Sequence, residues 1–239
     1  MIKAAGVVIP AHDEQDLLPS CLTAAQQAAG ELAIPVHLVV AADACADRTA
    51  AVARAHGADV VEVGARCVGA ARHSGVTQVL RATRHIDPAA VWIATTDADT
   101  RVPRWWLRRQ LRFAGQGWKG VLGTVTVDDW ADHPPRVRRL FARRYQAWQR
   151  HHPHVHGANL GFAADAYLAV GGFRPLPTAE DHALVDDLLA AGIPLLRTAQ
   201  IPVVTSARPR ARAPRGFAWL LTTLATAEET IPEPWEEPA

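Results

Sequence analysis

Cysteine is scarce in this chain: Cys21, Cys45 and Cys67 are an odd set with no CxxC spacing. A disulfide-stapled scaffold is therefore excluded, and thiols kept in a reducing compartment are expected. No run approaches the roughly 20 apolar residues that a membrane-spanning helix needs. The opening stretch Met1-Ile2-Lys3-Ala4-Ala5-Gly6-Val7-Val8-Ile9-Pro10 is too short and too soon interrupted for a secretory signal. A cytoplasmic protein is the expectation, with peripheral contact to a membrane surface left open. Excess charge is missing too, since 25 Lys plus Arg face 24 Asp plus Glu for a net charge of +1. That balance argues against a general nucleic-acid binder and against an acidic tail protein. No internal repeat is found.

What the 239 residues do contain is apolar side chain, 49% of the total against 21% charged, enough to bury a sizeable core. In the first half, short β-branched runs alternate with segments of helical period. Val7–Ile9, Val36–Val40, Val60–Val63 and Val91–Ala94 are strand candidates, and 14–29, 48–56 and 68–83 are helix candidates. Strand and helix in repeated alternation imply an α/β fold with a mostly parallel sheet flanked by helices. Such sheets bind ligands outside the carboxyl ends of their strands, which marks the segments after Ile9, Val40 and Ala94.

The second half is less regular. Helices are expected at 103–114, from Pro134-Pro135 onward, near 163–170 and at 180–191, with strands at 120–127 and 194–198. In the helix after Pro135, Val137, Leu140, Phe141, Tyr145 and Trp148 share a face, while Arg136, Arg139, Arg143 and Arg150 line the other. A solvated basic face is the favoured reading, with an anionic acceptor or lipid headgroups as the other. One domain over 1–227 is expected, followed by a flexible acidic, Pro-rich tail at 228–239.

The sharpest constellation is Thr95-Thr96-Asp97-Ala98-Asp99-Thr100, a DxD triplet directly after an apolar strand. Two carboxylates one residue apart at a strand end can converge on one hard divalent cation, or divide between a cation and a ribose hydroxyl. Alone the triplet is weak evidence. Asp43 follows the second strand and Asp13 the first, so a doubly wound sheet brings Asp13, Asp43, Asp97 and Asp99 to one edge. Acids gathered at one crevice repel unless a cation or a ligand's donor groups compensate them.

These blocks resemble family 2 glycosyltransferases of the GT-A fold. The resemblance rests on Pro10-Ala11-His12-Asp13-Glu14, Asp43…Asp47-x-Thr49, Gly69-Ala70-Ala71-Arg72 and Asp97-Ala98-Asp99. It continues through Gly157-Ala158-Asn159-Leu160-Gly161-Phe162, Gly171-Gly172-Phe173 and Glu180-Asp181, and so covers roughly 4–206. It implies a nucleotide-sugar-binding half at 1–100 and an acceptor and catalytic half at 101–227. By the same resemblance, Pro10, Ala11, Asp13 and Asp43 hold the nucleoside, with Asp43 accepting from the base. Arg72 lies near the base or the diphosphate, Asp97 approaches the ribose, and Asp99 binds Mg²⁺ or Mn²⁺ bridging the phosphates. Asp181 is the implied general base, deprotonating an acceptor hydroxyl that attacks the sugar C1 with inversion. The donor is then a nucleotide-diphosphate sugar and the partner a hydroxyl-bearing acceptor.

Two further segments have competing readings. In Val203-Val204-Thr205-Ser206-Ala207-Arg208-Pro209-Arg210-Ala211-Arg212, three Arg at alternate positions suit either a loop closing on the diphosphate, with Arg208 the contact, or a solvated linker. His151, His152, His154 and His156 are a poor zinc site, since no Cys or carboxylate stands at a matching spacing and Pro153 interrupts them. The even-numbered ones share a face if the segment is extended; the preferred readings are an acceptor-pocket position for His156 and, for the rest, the end of the preceding helix. The rival readings of the whole are a nucleotidyltransferase, which the absence of a Gly-rich phosphate loop after the first strand disfavours, and a catalytically silent nucleotide-sugar binder.

Overall fold

The computed structural model describes residues 1–146, 152–209 and 217–226, with no side-chain description for 144–146. The expected tail at 228–239, together with Trp148, Arg150, His151, Arg210 and Arg212, lies outside the described residues, and the side chain of Tyr145 is likewise undescribed.

The four expected strands of the first half form as β1 (Ala4–Ala11), β2 (Val36–Asp43), β3 (Asp59–Val63) and β4 (Val91–Thr95). β1 pairs in parallel with both β2 and β4, and β2 in parallel with β3. The helices between them are α1 (Leu18–Ala29), α2 (Thr49–Ala55) and α3 (Val68–Ala82). α1 buries Leu18, Cys21, Leu22, Ala25 and Ala28, a stripe at three- and four-residue spacing that seats it on the sheet. α3 comes unusually close to β1 because two glycines face each other's valines. A Cβ on Gly6 would lie 2.4 Å from a Val79 methyl, and one on Gly75 2.4 Å from a Val8 methyl.

Beyond β4 come β5 (Thr100–Arg101) and α4 (Trp106–Ala114), and then β6 (Gly120–Leu122) and β7 (Val125–Thr126). The single strand expected at 120–127 is thus two strands in different sheets. Asn159 explains the break. Its Nδ2 donates to the carbonyls of Thr124 and Ile201, at 2.8 and 2.5 Å, and its side chain sits where a Cβ on Gly123 would be. The chain must turn around that amide.

The rest comprises α5 (Pro135–Gln146), β8 (Leu160–Ala163), α6 (Ala164–Ala169), α7 (Glu180–Ala190), β9 (Leu195–Arg197), β10 (Val203–Thr205) and α8 (Phe217–Thr226). The main sheet has the order β3-β2-β1-β4-β8-β6-β9, mostly parallel with β8 reversed, and a small sheet has the order β5-β10-β7. This is the expected α/β class, a GT-A arrangement. Its core runs along both faces of the main sheet, while α5 and α8 enclose a satellite of Val137, Phe141, Ala207 and Leu221. No described helix is long and apolar enough to cross a membrane.

The order β2-β1-β4 places the switch in strand direction of growth at β1 and β4, and a crevice opens outside their carboxyl ends. Pro10 to Glu14 and Thr96 to Asp99 meet there.

Candidate active site

Carboxylates at the ends of β1 and β2 are held by backbone amides. Asp43, 4% exposed, accepts from the N–H groups of Ala65 and Arg66 on Oδ1 and of Cys67 on Oδ2, at 2.8, 2.9 and 2.6 Å. Three of its roughly four acceptor positions are taken up by the loop that leads into α3. Asp13, in a left-handed conformation at φ 52°, accepts from Ala46 and Asp47 N–H, and the Ala46 bond lowers its pKa. Asp47 accepts from Thr49 and Gln15 N–H. Pro10 and Ala11 occupy the last two residues of β1, against Ala41 and Ala42 of β2. The expected nucleoside residues are thus neighbours, yet Asp43 chiefly shapes a loop.

The acids near β4 are held differently, by arginine side chains from distant segments. Arg72, on α3 and 3% exposed, donates from Nε to Glu180 Oε1 at 2.8 Å, from Nη2 to Asp97 Oδ1 at 2.7 Å and from Nη1 to the Gly157 carbonyl at 3.0 Å. Burial alone would depress its pKa, but the Asp97 and Glu180 carboxylates outweigh that and raise it. Arg72 therefore turns inward to two acids. Glu180 has its pKa raised by burial and by Asp181, against the lowering effect of Arg72.

Arg208 follows β10 and reaches back over the crevice. Its Nη1 and Nη2 meet Glu14 Oε2 and Oε1 at 2.9 and 2.7 Å, and Nη2 lies 2.8 Å from Asp99 Oδ2. The loop is fixed behind it by β5–β10 pairing and by the Thr100 to Thr205 hydroxyl bond of 2.9 Å. Burial pushes Asp99 up to about 6, with Arg208 opposing and Asp97 and Glu14 assisting. A cavity of about 200 Å³ opens beside this pair, with Ser20, Arg101, Asp128, Asp132 and Ser206 in its lining.

Asp181 stands in the first turn of α7, and its Oδ2 accepts from Gly157 N–H at 2.7 Å. Gly157 opens the turn that leads into β8. The rings of His152, His154 and His156 stack at 5.8 Å between successive centroids, so the segment is extended as expected. Burial depresses His152 and brings His156 to about 3, so these rings are neutral. Among the described residues, one group of three metal-ligating atoms lies within 4.8 Å, Asp13, Cys45 and Asp47, and it includes no histidine. Both its carboxylates already hold loop amides.

At the end of β4 the hard oxygen donors of the kind that Mg²⁺ and Mn²⁺ take are the carboxylates of Asp99, Asp97 and Glu14, held by Arg208 and Arg72 and not gathered within 4.8 Å of one another as that group is. The charge on Asp99 faces the Arg208 guanidinium, whose side chain is 23% exposed. Thr96 Oγ1, buried at the same strand end, has no hydrogen-bond partner among the described residues.

Glu14 and Gly157 are the site residues that sequence reasoning did not single out. Glu14 carried a signal, since it directly follows Asp13 at the end of β1. Gly157 stands in the sequence only as the first residue of a glycine-rich block, and nothing there says that its amide meets Asp181.

Fold and strand order together place the chain among α/β proteins of the GT-A type. The sequence profile of Glycosyl transferase family 2 matches residues 6–171, more than half of the chain, and the chain belongs to that family. Curated proteins supply no sequence match. Among solved structures it resembles S. aureus TarS 1-349 at 11% identity and a TM-score of 0.63, over 87% of this chain and 61% of that one. It resembles the mannosyltransferase PcManGT of Pyrobaculum calidifontis, solved with GDP-Man and Mn²⁺, at 19% and 0.60, over 87% and 58%. Glucosyl-3-phosphoglycerate synthase of Mycobacterium tuberculosis, solved with Mn²⁺, UDP and phosphoglyceric acid, gives 17% and 0.55, over 87% and 72%. At these identities the likeness is one of fold, and the chain spans about three-fifths of the length of the first two.

Proposed function

We propose that this chain is a metal-dependent inverting glycosyltransferase, moving a sugar from a nucleotide-diphosphate sugar to an acceptor hydroxyl. The observation that supports it most is the single hydrogen-bonded path from Asp97 through Arg72 and Gly157 to Asp181, which draws a candidate donor residue and a candidate base to one crevice. Three solved relatives of the same fold, two of them with Mn²⁺, carry nucleotides or nucleotide sugars: GDP-Man, UDP and, in TarS, UDP-GlcNAc.

In this reading the nucleoside lies against Pro10, Ala11, Asp13 and the loop that Asp43 fastens, with Asp97 at the ribose. Asp99, helped by Glu14, would hold Mg²⁺ or Mn²⁺. Such a cation supplies neutralisation of the negative charge that develops on the leaving diphosphate. Arg208, paired here with Asp99 and Glu14, would pair instead with the phosphate oxygens of the donor, for which its fork is suited. Asp181 accepts the proton of the acceptor hydroxyl as that oxygen bonds to the sugar C1 and the C1–O bond to the diphosphate breaks on the opposite face. A half-exposed carboxylate suits this because it accepts a proton over hydrogen-bond distance.

Calorimetric titration with UDP, GDP, CDP and dTDP, each with and without Mn²⁺, tests the reading. Metal-dependent binding of one nucleotide, lost in Asp99→Ala, is expected. Release of the nucleoside diphosphate from the corresponding sugar nucleotide separates an enzyme from a silent binder. Binding that ignores Mn²⁺ and Asp99 would remove the metal from the proposal.

A further inference from the structure

Gly157 is held from three directions. Its carbonyl accepts from Arg72 Nη1 at 3.0 Å and from Thr95 Oγ1 at 2.6 Å, and its N–H donates to Asp181 Oδ2 at 2.7 Å. A Cβ at this position would lie 2.3 Å from Arg72 Nη2 and 2.6 Å from Cζ, so the guanidinium packs flat against the glycine Cα. A glycine in a short turn is otherwise the most freely rotating residue of a chain. Here Arg72 and Thr95 hold the carbonyl, the guanidinium covers the Cα, and the N–H, which belongs to the preceding peptide plane, is held by Asp181.

We infer that Arg72 is a positioning residue for Asp181: it ties Gly157, whose N–H holds the Asp181 carboxylate, to Glu180, the residue before Asp181, and so sets that carboxylate for the acceptor hydroxyl. The inference rests on the proposed function, in which Asp181 takes that proton. It also assigns Arg72 away from the donor, where the family resemblance had put it. The same guanidinium binds Glu180, the residue before Asp181, at 2.8 Å, so both ends of the Gly157–Asp181 contact are tied to one group. Its third branch holds Asp97 at 2.7 Å, so every nitrogen of the fork already donates to the protein.

Arg72→Lys tests this, because lysine keeps the charge that Glu180 and Asp97 require while one ammonium cannot reproduce a planar three-way fork. Gly157→Ala is the second variant, pushing the guanidinium from the other side. The readout is release of nucleoside diphosphate from UDP-glucose, UDP-GlcNAc and GDP-mannose with Mn²⁺, beside calorimetric binding of UDP and GDP. Misplacing a reacting group by about 1 Å can cost on the order of 100-fold in rate, so a fall in kcat of at least about tenfold is expected in both variants, with donor KM and nucleotide affinity nearly unchanged. Normal kcat in Arg72→Lys would overturn the inference. So would a raised donor KM at unchanged kcat, which would return Arg72 to the donor. If the unaltered protein releases nothing from any donor, the functional reading itself fails and this inference falls with it. If it does release product and Asp181→Asn is equally active, only the base and its positioning residue are lost.

Discussion

The two sides of the crevice satisfy their acids by different means. At the ends of β1 and β2, Asp13, Asp43 and Asp47 are compensated by backbone N–H groups of nearby loops. At the end of β4 and the start of α7, Asp97, Asp99 and Glu180 are compensated by Arg72 and Arg208, which come from far along the chain. Backbone amides cannot leave without unfolding the loop, so the first set fastens its loops whatever else it contacts. A guanidinium on a partly exposed loop can be exchanged for a metal ion or a phosphate, which is the behaviour proposed for Arg208 at Asp99. The buried Arg72 belongs between the two, a side chain with the permanence of a backbone.

The largest effect is expected where chemistry depends on one oxygen pair. Asp181→Asn keeps the hydrogen bond to Gly157 N–H through its amide oxygen but removes the proton acceptor. General base catalysis contributes about 10²- to 10⁴-fold, so turnover should fall in that range while nucleotide affinity holds. Near-normal turnover by the same assay would dismiss Asp181 as the base.

Next comes the scaffold side. Asp43→Ala strands the amides of Ala65, Arg66 and Cys67 at a buried site, each worth about 1–3 kcal/mol if left without a partner. A loss of several kcal/mol in denaturant-induced unfolding is expected, together with weaker nucleotide binding. If Asp43→Ala were as stable as the parent but lost nucleotide selectivity, Asp43 would be a base-reading residue and the contrast between the two sides would break.

Strand order on the donor side was legible in the sequence because each β-branched run ends in a turn followed by helical periodicity, and the family blocks fell at those ends. What escaped were contacts that no periodicity encodes. Gly123 and Thr124 look like the middle of one strand until Asn159 is seen to occupy the space between them. β8 is four residues in a glycine-rich block, too short for an alternation to show. Sequence position gives the neighbours of Arg72 along α3 but not the direction of its side chain, and the residues it bonds lie 25, 85 and 108 residues away.

A smaller change is expected from Arg208→Ala. Removing a competitor for Asp99 should raise affinity for Mn²⁺ alone by a few-fold, while affinity for nucleotide with Mn²⁺ falls as the phosphate contact is lost. Opposite signs in the two titrations are the signature of exchange. A fall in both would mean that Arg208 only orders the site, and the guanidinium would then be as fixed as the amides around Asp43.

The smallest effect is one of pH on stability, and it bears on whether Asp99 is held under tension. Its pKa rises from the ordinary 3.8 to about 6, chiefly by burial. A carboxyl whose folded pKa is raised binds its proton more tightly when folded, so the ionised form opposes folding. That cost is absent below about pH 4, grows as the pH climbs toward 6 and is complete above it. Asp99→Asn should therefore unfold at a higher denaturant concentration than the parent at pH 8, with the advantage shrinking as the pH is lowered to 4. The parent with saturating Mn²⁺ should recover the same advantage at pH 8, since the cation removes the charge that burial penalises. An advantage for Asp99→Asn that did not vary with pH would mean that packing, not charge, separates the two, and Asp99 would rank with the scaffold acids of β1 and β2.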